Sequence, residues 1–171
     1  RKDPWGLERC VAACEFFLKG LHRTTRASGT IALSYTPLDK SQVINTNADI
    51  SSLLYRVGKE AGRSDFIDLA RKIVGFVLET QNQDGSWNYN APDVDGGKSK
   101  IDNYHTGMNL CALMDLIPMW DDPGTPTQRL QTVYQKGLEF YIDRLFDASG
   151  QPVWTVKSLY PLDIYSFAQG I

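Results

Sequence analysis

Cysteine and histidine are scarce in this chain, which has three cysteines and two histidines among 171 residues. The cysteines form no C-x-x-C pair, and no Cys/His spacing typical of a zinc site occurs, so the pattern favours neither a metal site nor a disulfide framework. Cys10, Cys14 and Cys111 fall on predicted helices, where we expect small core residues. We predict no metal and no cofactor, so any chemistry has to come from ordinary side chains.

Long apolar runs and clusters of one charge are also missing. No stretch approaches the ~20 apolar residues that a membrane span needs, and the 18 basic and 20 acidic residues include no run of Lys or Arg. We therefore predict no membrane span and no nucleic-acid partner. The apolar content of 42% is enough for the core of one domain. Because the chain opens on Arg1, a removed signal peptide or upstream segment stays an open alternative, and so does the localisation.

Apolar residues recur at helical spacing in six segments. Asn45 and Asn47 are candidate caps of the second helix, Ser64 caps the third, and Thr125 with Pro126 opens the fifth. Residues 31–35 alternate as a strand would, and residues 88–100 are rich in Gly, Asp, Asn and Pro, which predicts a long surface loop. The predicted helices cover residues 5–20, 45–60, 64 to the turn at 84–85, 102 or 103 to 117, 125 to 145, and 163 onward.

The helices form a repeat. Glycine turns at Gly29, Gly85 and Gly150 lie 56 and 65 residues apart, and each follows an apolar helix and precedes aromatic residues. Three copies of helix, turn, aromatic arm and helix predict an array of helical hairpins, which either stack in an open solenoid or close into a ring. In a ring the second helix of each hairpin lines the inside. Three hairpins make half of a six-hairpin ring, so we expect a single all-α domain (residues 1–171) that is part of a longer protein.

A family resemblance rests on several motifs. Gln81, Gly85 and Trp87 fit the Q-x3-G-x-W pattern of the α/α-toroid superfamily, in which terpene cyclases repeat it. The cyclase acid motif DxDD is missing, since Asp93-Val94-Asp95-Gly96 stops short of it. The chain resembles more closely the bacterial polysaccharide-biosynthesis proteins called VpsJ-like and the six-hairpin glycosidase-like enzymes. That resemblance implies an (α/α) barrel and a role with polysaccharide, and it supplies no catalytic assignment. Its carriers are Asn45-x-Asn47, Gln81 to Trp87, Ile101 to Gly107 and Pro161 to Ser166.

Asp102 and Asp163 lie 61 residues apart at equivalent positions of the repeat. Neighbouring inner helices would hold the two carboxylates at similar height, with helix axes ~8–10 Å apart. Paired carboxylates at about that separation suit inverting glycoside hydrolysis. The alternative is that both residues are N-caps, because Asp is a favoured cap at a helix start.

His105 follows Asp102 by one helical turn and stands between Tyr104 and Thr106. It could serve as general acid or base, since the unperturbed pKa of histidine is ~6.5. With Tyr104 or Tyr165 it could abstract the proton beside a uronate carboxyl, as a lyase or epimerase does. The alternative is a histidine that only hydrogen-bonds within the ring of helices.

The turn arms carry aromatic residues that could pack against sugar rings. We expect Trp87 to pack over its own turn, and Tyr89 and Trp154 to contact sugar. Asn45 and Asn47 are expected either to hydrogen-bond hydroxyl groups or to cap their helix.

The sequence thus predicts a carbohydrate-active protein that acts on or binds polysaccharide in exopolysaccharide metabolism. As an enzyme it would be a glycoside hydrolase, polysaccharide lyase or sugar epimerase, with Asp102, His105 and Asp163 as catalytic residues. Alternatives are a non-catalytic glycan-binding or assembly component and a terpene-cyclase-like enzyme. The predicted partners are an oligo- or polysaccharide and, to complete the ring, a second copy or the remainder of the chain. The predicted substrate-binding residues are Asn45, Asn47, Tyr89, Tyr104, Trp154 and Tyr165.

Overall fold

The computed structural model describes residues 4–96 and 98–169. The described chain is mostly helical, with one two-stranded antiparallel sheet that pairs Arg23 with Leu33. The elements in order are α1 (Pro4–Gly20), β1 (Arg23–Thr25), β2 (Ile31–Leu33), α2 (Ile44–Ala61), α3 (Ser64–Glu79), α4 (Pro92–Asp95), α5 (Asn103–Leu116), a 3-10 turn (Ile117–Met119), α6 (Thr127–Arg144) and α7 (Ile164–Gln169).

The long helices form two layers. The inner layer is α2, α5 and α7, in which α5 packs against both of the others. The outer layer is α1, α3 and α6, of which α1 and α3 pack on α2, and α6 packs on α5. The second helix of each predicted hairpin therefore lies in the inner layer, as a ring requires. The prediction of an all-α partial toroid is confirmed.

The three glycine turns share one backbone conformation. Gly29, Gly85 and Gly150 have φ angles of 82°, 95° and 82°, in the left-handed region that favours glycine. The middle turn also fixes one hairpin to the next. Gln81 Nε2 donates to the carbonyl of Gly85 (3.0 Å) within its own turn and to that of Val133 (2.9 Å) on α6. The Q-x3-G-x-W motif thus joins the end of α3 to the neighbouring outer helix.

Trp87 completes this junction. Its side chain is only 2% exposed, and its Nε1 donates to the carbonyl of Val77 on α3 (3.0 Å). The ring lies against Gly137 on α6, where a Cβ would come within 2.5 Å of the ring atom Cζ3. The expectation that Trp87 is a packing residue rather than a sugar contact agrees with this burial, and its contacts are with α3 and α6. Glycine at position 137 allows the indole to approach the α6 backbone.

Asn47 connects α2 to the small sheet. Its Oδ1 accepts from the N–H of Leu33 (2.8 Å), and its Nδ2 donates to the carbonyls of Leu33 (3.0 Å) and Val43 (2.9 Å). The side chain is 1% exposed. The structure therefore gives Asn47 a role in the fold that differs from the predicted contact with substrate, and the cap position of α2 is held by Val43 without a side-chain hydrogen bond.

Some boundaries differ from the predictions. The N-cap of α3 is Arg63, so Ser64 is the first helical residue. Helix α6 begins at Thr127 because Pro126 is extended (ψ 141°) and Thr125 accepts a hydrogen bond from Trp120 Nε1 (2.7 Å). Cys14 is buried as predicted, but Cys10 and Cys111 are exposed. None of the described helices is both long and apolar enough to cross a bilayer.

Candidate functional site

The candidate site lies where α5 and α7 begin. Asp102 is extended (φ −128°, ψ 164°) and forms a β-bridge with Thr155, so the segment after α6 passes beside the start of α5. Asn103 is fully buried, donates through Nδ2 to the carbonyl of Leu145 (2.7 Å) and accepts from the hydroxyl of Tyr141 (3.0 Å). These contacts fix the first turn of α5, which carries Tyr104 and His105.

Asp102 and His105 form a hydrogen-bonded pair. Asp102 is 2% exposed, and its Oδ1 accepts from the backbone N–H of His105 (2.9 Å). His105 Nδ1 lies 2.8 Å from both carboxylate oxygens. A carboxylate only accepts, so Nδ1 carries the hydrogen in this contact. Asp102 is therefore the N-cap of α5 and also sets the orientation and tautomer of the imidazole.

The other ring nitrogen of His105 is available. The described residues provide no hydrogen bond to Nε2, and they do not bury it. The side chain of His105 is 26% exposed, whereas that of Asp102 is 2% exposed. The pair thus has a buried carboxylate behind an imidazole whose Nε2 faces solvent.

Two tyrosines pack against the imidazole, and a third packs against one of them. The ring centroid of His105 lies 4.7 Å from that of Tyr89 and 5.2 Å from that of Tyr104, both edge to face. Tyr104 in turn lies 5.6 Å from Tyr165 at the start of α7. The structure therefore brings Tyr89, Tyr104, His105 and Tyr165 together, which we call the tyrosine cluster. Tyr165 is the most open of the four, with 63% exposure.

Tyr89 is held by its backbone on both sides. Its N–H donates to the carbonyl of Lys100 (3.0 Å), and its carbonyl accepts from the N–H of Ile44 (3.0 Å). Burial raises the pKa of the Tyr89 hydroxyl, and the nearby Tyr35 and Asp102 raise it further. Tyr35 is 53% exposed and lies on the first aromatic arm, so it is a further aromatic residue beside the cluster. The sequence could have identified Tyr35, because its position in the repeat is equivalent to that of Tyr89.

Asp163 occupies the position before α7 that Asp102 occupies before α5. Its Oδ1 accepts from the N–H of Tyr165 (3.0 Å), and its carbonyl accepts from that of Ser166 (3.0 Å). The side chain is half-buried, and Ser166 stands where α5 has His105. The two carboxylates therefore differ, because only Asp102 is hydrogen-bonded to an imidazole.

Asn45 and Trp154 lie at the edges of the site. Asn45 is 5% exposed, its Nδ2 contacts the sulfur of Met108 on α5 (3.4 Å), and its buried Oδ1 has no hydrogen-bond partner among the described residues. The carbonyl of Trp154 accepts from the N–H of Asn103 (3.3 Å), while its ring lies 4.1 Å from the ammonium of Lys100. Met108 was missed by the sequence reasoning, although it follows Tyr104 by one helical turn.

A metal site is not visible in residues 4–96 and 98–169, where no group of three or more His, Cys, Asp or Glu side chains could hold an ion. The available chemistry in this part of the chain is that of a carboxylate–imidazole pair, a second carboxylate and aromatic surfaces.

Comparison with solved structures identifies the architecture. The unsaturated glucuronyl hydrolase from Bacillus sp. GL1, described as responsible for the degradation of glycosaminoglycan, matches with a TM-score of 0.58 at 12% identity, over 85% of this chain and 42% of that one. The chain folds as part of an α/α toroid. An unsaturated glucuronyl hydrolase specific for heparin matches with a TM-score of 0.59 at 14% identity, over 94% of this chain and 49% of its own.

A third match is a variant unsaturated glucuronyl hydrolase from Streptococcus agalactiae, complexed with dGlcA-GalNAc6S. Its TM-score is 0.54 at 13% identity, over 75% of this chain and 32% of that one. The chain thus spans less than half the length of each of these three proteins. No family model and no curated protein matches the sequence. The resemblance to VpsJ-like proteins therefore stays a prediction.

Proposed function

We propose that this chain is part of a carbohydrate-active enzyme that performs acid/base chemistry on uronate-containing polysaccharide, with His105 as the catalytic residue. The observation that carries the proposal is the Asp102–His105 pair, in which a buried carboxylate holds Nδ1 and leaves Nε2 open to solvent beside three tyrosines.

His105 would exchange the proton. With the hydrogen on Nδ1, the lone pair of Nε2 can take a proton from a bound sugar or water, and the imidazolium can later return it. The Asp102 carboxylate would stabilise that imidazolium without taking the proton, because it is already committed to two hydrogen bonds from His105. Asp102 is thus proposed as a positioning residue, and Asp163 as the second carboxylate, near the start of the neighbouring inner helix.

The tyrosine cluster would bind the sugar. Tyrosine rings offer apolar faces that can pack on the C–H faces of a sugar ring, with a hydroxyl for hydrogen bonding. Support for an anionic sugar comes from a neighbouring groove of about 430 Å³, which includes Lys98, Lys100 and Lys157. These lysines lie on the two segments that flank Tyr89 and Asp102. Their charge would attract a uronate carboxyl.

Polar residues on the inner layer favour this proposal over a terpene-cyclase-like enzyme, whose cavity would be apolar. The cleft between α2 and α5 has Asp49, Ser52, Arg56 and Asp115 among its seven lining residues. The solved structures that share the fold are named as glucuronyl hydrolases, which supports a uronate substrate for this chain as well. A place in exopolysaccharide metabolism rests on the VpsJ-like resemblance alone.

Calorimetric titration and turnover assays with neutral and uronate-containing oligosaccharides test the proposal. We expect the wild-type chain to bind a uronate-containing oligosaccharide and to release new reducing ends or an ultraviolet-absorbing unsaturated uronate. His105→Asn should lower turnover by ~10²–10⁴-fold, the usual contribution of an acid/base group, while binding stays within a few-fold. His22→Asn is the matched control, since His22 is exposed and lies outside the cluster.

The outcomes separate the alternatives. Absence of binding by a folded wild-type chain would overturn the carbohydrate proposal. Binding without turnover would replace the enzyme with a glycan-binding component. Equal turnover by wild type and His105→Asn would remove His105 from the chemistry.

A further inference from the structure

A second polar surface runs along the inner layer, away from the tyrosine cluster. On α2 it consists of Asn45, Asp49, Ser52 and Arg56, whose spacing of four, three and four residues places them on one helix face. On α5 the same spacing joins Tyr104, Met108, Cys111 and Asp115. Asn45, Tyr104 and Met108 belong to the site described above, and the other residues of the two rows lie beyond it. Asn45 and Met108 touch, so the two rows face each other.

The rows enclose a cleft of about 210 Å³ between α2 and α5. This volume is below the ~300 Å³ at which pockets for drug-sized ligands begin, so one sugar-sized unit is the largest suitable occupant. Ser52 lies ~10 Å along the helix axis from Asn45, at 1.5 Å per residue. The cleft is therefore a separate site on the same inner layer, further along α2 and α5 than the tyrosine cluster. Its lining residues are Asp49, Ser52, Leu53, Arg56, Cys111, Ala112 and Asp115.

Ser52 points to a ligand in this cleft. It is only 7% exposed, yet its hydroxyl makes no hydrogen bond to any residue that the structure describes. Its neighbour Ser51 is different, because that hydroxyl donates to the carbonyl of Ala48 (2.7 Å). The hydroxyl lines the cleft and has no partner among the described residues, so a group that enters the cleft can form a hydrogen bond with it.

The charged groups of the cleft leave one carboxylate unpaired. Asp115 forms an ion pair with Arg56 (3.1 Å), whereas no cation in the described part of the chain pairs with Asp49. The Asp49 side chain is accessible from the cleft, but the flanking helices desolvate its carboxyl. That desolvation, together with repulsion from Asp115, raises its pKa to about 6. Asp49 is thus a hydrogen-bond acceptor that a ligand in the cleft can reach.

We propose that this cleft is a second sugar-binding subsite, which takes the hydroxyl groups of one neutral sugar unit in the chain whose uronate lies at the tyrosine cluster. The proposal rests on the proposed function. Asp49 and Asp115 would accept hydrogen bonds from sugar hydroxyls, while Arg56 would donate and Ser52 can do either. A second uronate is disfavoured there, since its carboxyl would meet two aspartates.

The test is calorimetric titration with oligosaccharides of increasing length that carry one uronate followed by neutral units. We expect wild-type affinity to rise when the chain becomes long enough to reach the cleft. Ser52→Ala and Asp49→Asn should each lower the affinity for the longer ligands by about 2- to 10-fold, which is the contribution of one hydrogen bond. The affinity for the shortest ligand should stay unchanged. Ser51→Ala is the matched control and should keep the full gain.

Each outcome has a distinct meaning. A gain with length that survives in both cleft variants would overturn this inference and leave the proposed function standing. Failure of the wild type to bind at any length would overturn the proposed function and the subsite together. If only oligosaccharides with a free amino group show the gain, the cleft binds a cation and the assignment to hydroxyl groups is wrong. Thermal unfolding of each variant verifies that it is folded.

Discussion

The carboxylate of Asp102 binds both the backbone N–H and the ring Nδ1 of His105, three residues further along the chain. One side chain therefore begins α5 and orients the imidazole. The sequence left a catalytic carboxylate and an N-cap as alternatives for Asp102; the geometry shows the cap and adds a hydrogen bond to the imidazole, which the sequence did not predict. The contact is local, since Asp102 and His105 are three residues apart, while the contacts of Asn103 with Tyr141 and Leu145 hold the turn that carries both.

Substitution of Asp102 should separate the two roles. Asp102→Asn keeps a good cap, so we expect the free energy of unfolding to change by less than ~1 kcal/mol, while Asp102→Ala should lose ~0.5–2 kcal/mol. Both variants lose the charge that would stabilise the imidazolium, so both should lose most turnover. Denaturant unfolding and turnover on the same preparations measure the two effects. Equal stability of Asn and Ala variants would contradict the capping role.

The contact between Trp87 and Gly137 should be energetically coupled. Trp87→Leu removes ring atoms from the junction, and Gly137→Ala should cost ~1–3 kcal/mol by overpacking, against ~1 kcal/mol gained by replacing glycine within a helix. We expect the double variant to be less destabilised than the sum of the single variants, because a smaller residue at 87 leaves room for the new methyl group. A double-mutant cycle by thermal unfolding measures this coupling. Strict additivity would count against the close packing described here.

Asp49 should make stability depend on pH. Its pKa rises from 3.8 to about 6 on folding, so the folded state holds the proton more tightly. The associated stability is present below about pH 4 and is lost as the pH rises to about 6. Asp49→Asn should therefore match the wild type near pH 3.5 and exceed it above pH 6.

The effect of Asp49 on stability is limited by solvent at the cleft. For a fully buried carboxyl, a shift of about two pKa units would change the free energy of unfolding by ~3 kcal/mol. Because solvent screens an accessible carboxyl, we expect ~1 kcal/mol for Asp49. We expect a gain in melting temperature of ~2–4 °C at pH 7. The control is Asp143→Asn, since Asp143 is exposed on α6. A gain that is the same at pH 3.5 and pH 7 would rule out the titration of Asp49 as its cause.

The two asparagines of the first inner helix should behave in opposite ways. Asn47→Ala breaks three hydrogen bonds to backbone groups and should cost ~1–3 kcal/mol of stability, with glycan affinity unchanged in the folded protein. Asn45→Ala removes a buried oxygen that has no partner among the described residues, so stability should hardly change while affinity falls. Unfolding and titration of both variants test the assignment. A loss of affinity confined to Asn47→Ala would reverse it.

The repeat was predictable because it depends on local signals. The turn glycines 29, 85 and 150 need a left-handed backbone, and α2, α3 and α6 have clear apolar periodicity, which is weak in α5. These signals gave the helix order and the inner position of α2, α5 and α7. The role of Trp87 followed from its motif, and the structure adds Gly137 as its partner.

Features that depend on contacts between distant segments could not be predicted in the same way. The sequence predicted that Asn47 binds substrate or caps its helix, but its side-chain amide is hydrogen-bonded to β2. The pairing of β2 with β1 had no strong sequence signal. Cys111 looked like a core residue because apolar neighbours surround it in sequence, yet it faces the cleft between α2 and α5. The tyrosine cluster required the packing of α7 on α5, which brings Tyr104 and Tyr165 together.

The backbone of Tyr89 is fixed between Ile44 and Lys100 by two hydrogen bonds, one on each side. A ligand that packs on this ring meets an aromatic surface already in place, and only the side chain has freedom left to lose. Ordering a loop on binding would subtract from the affinity, whereas ordering one rotamer costs only ~0.5–1.5 kcal/mol. The backbone at Tyr89 therefore presents a preorganised aromatic surface to the site, and we expect association to be limited by diffusion and orientation of the glycan rather than by ordering of this residue.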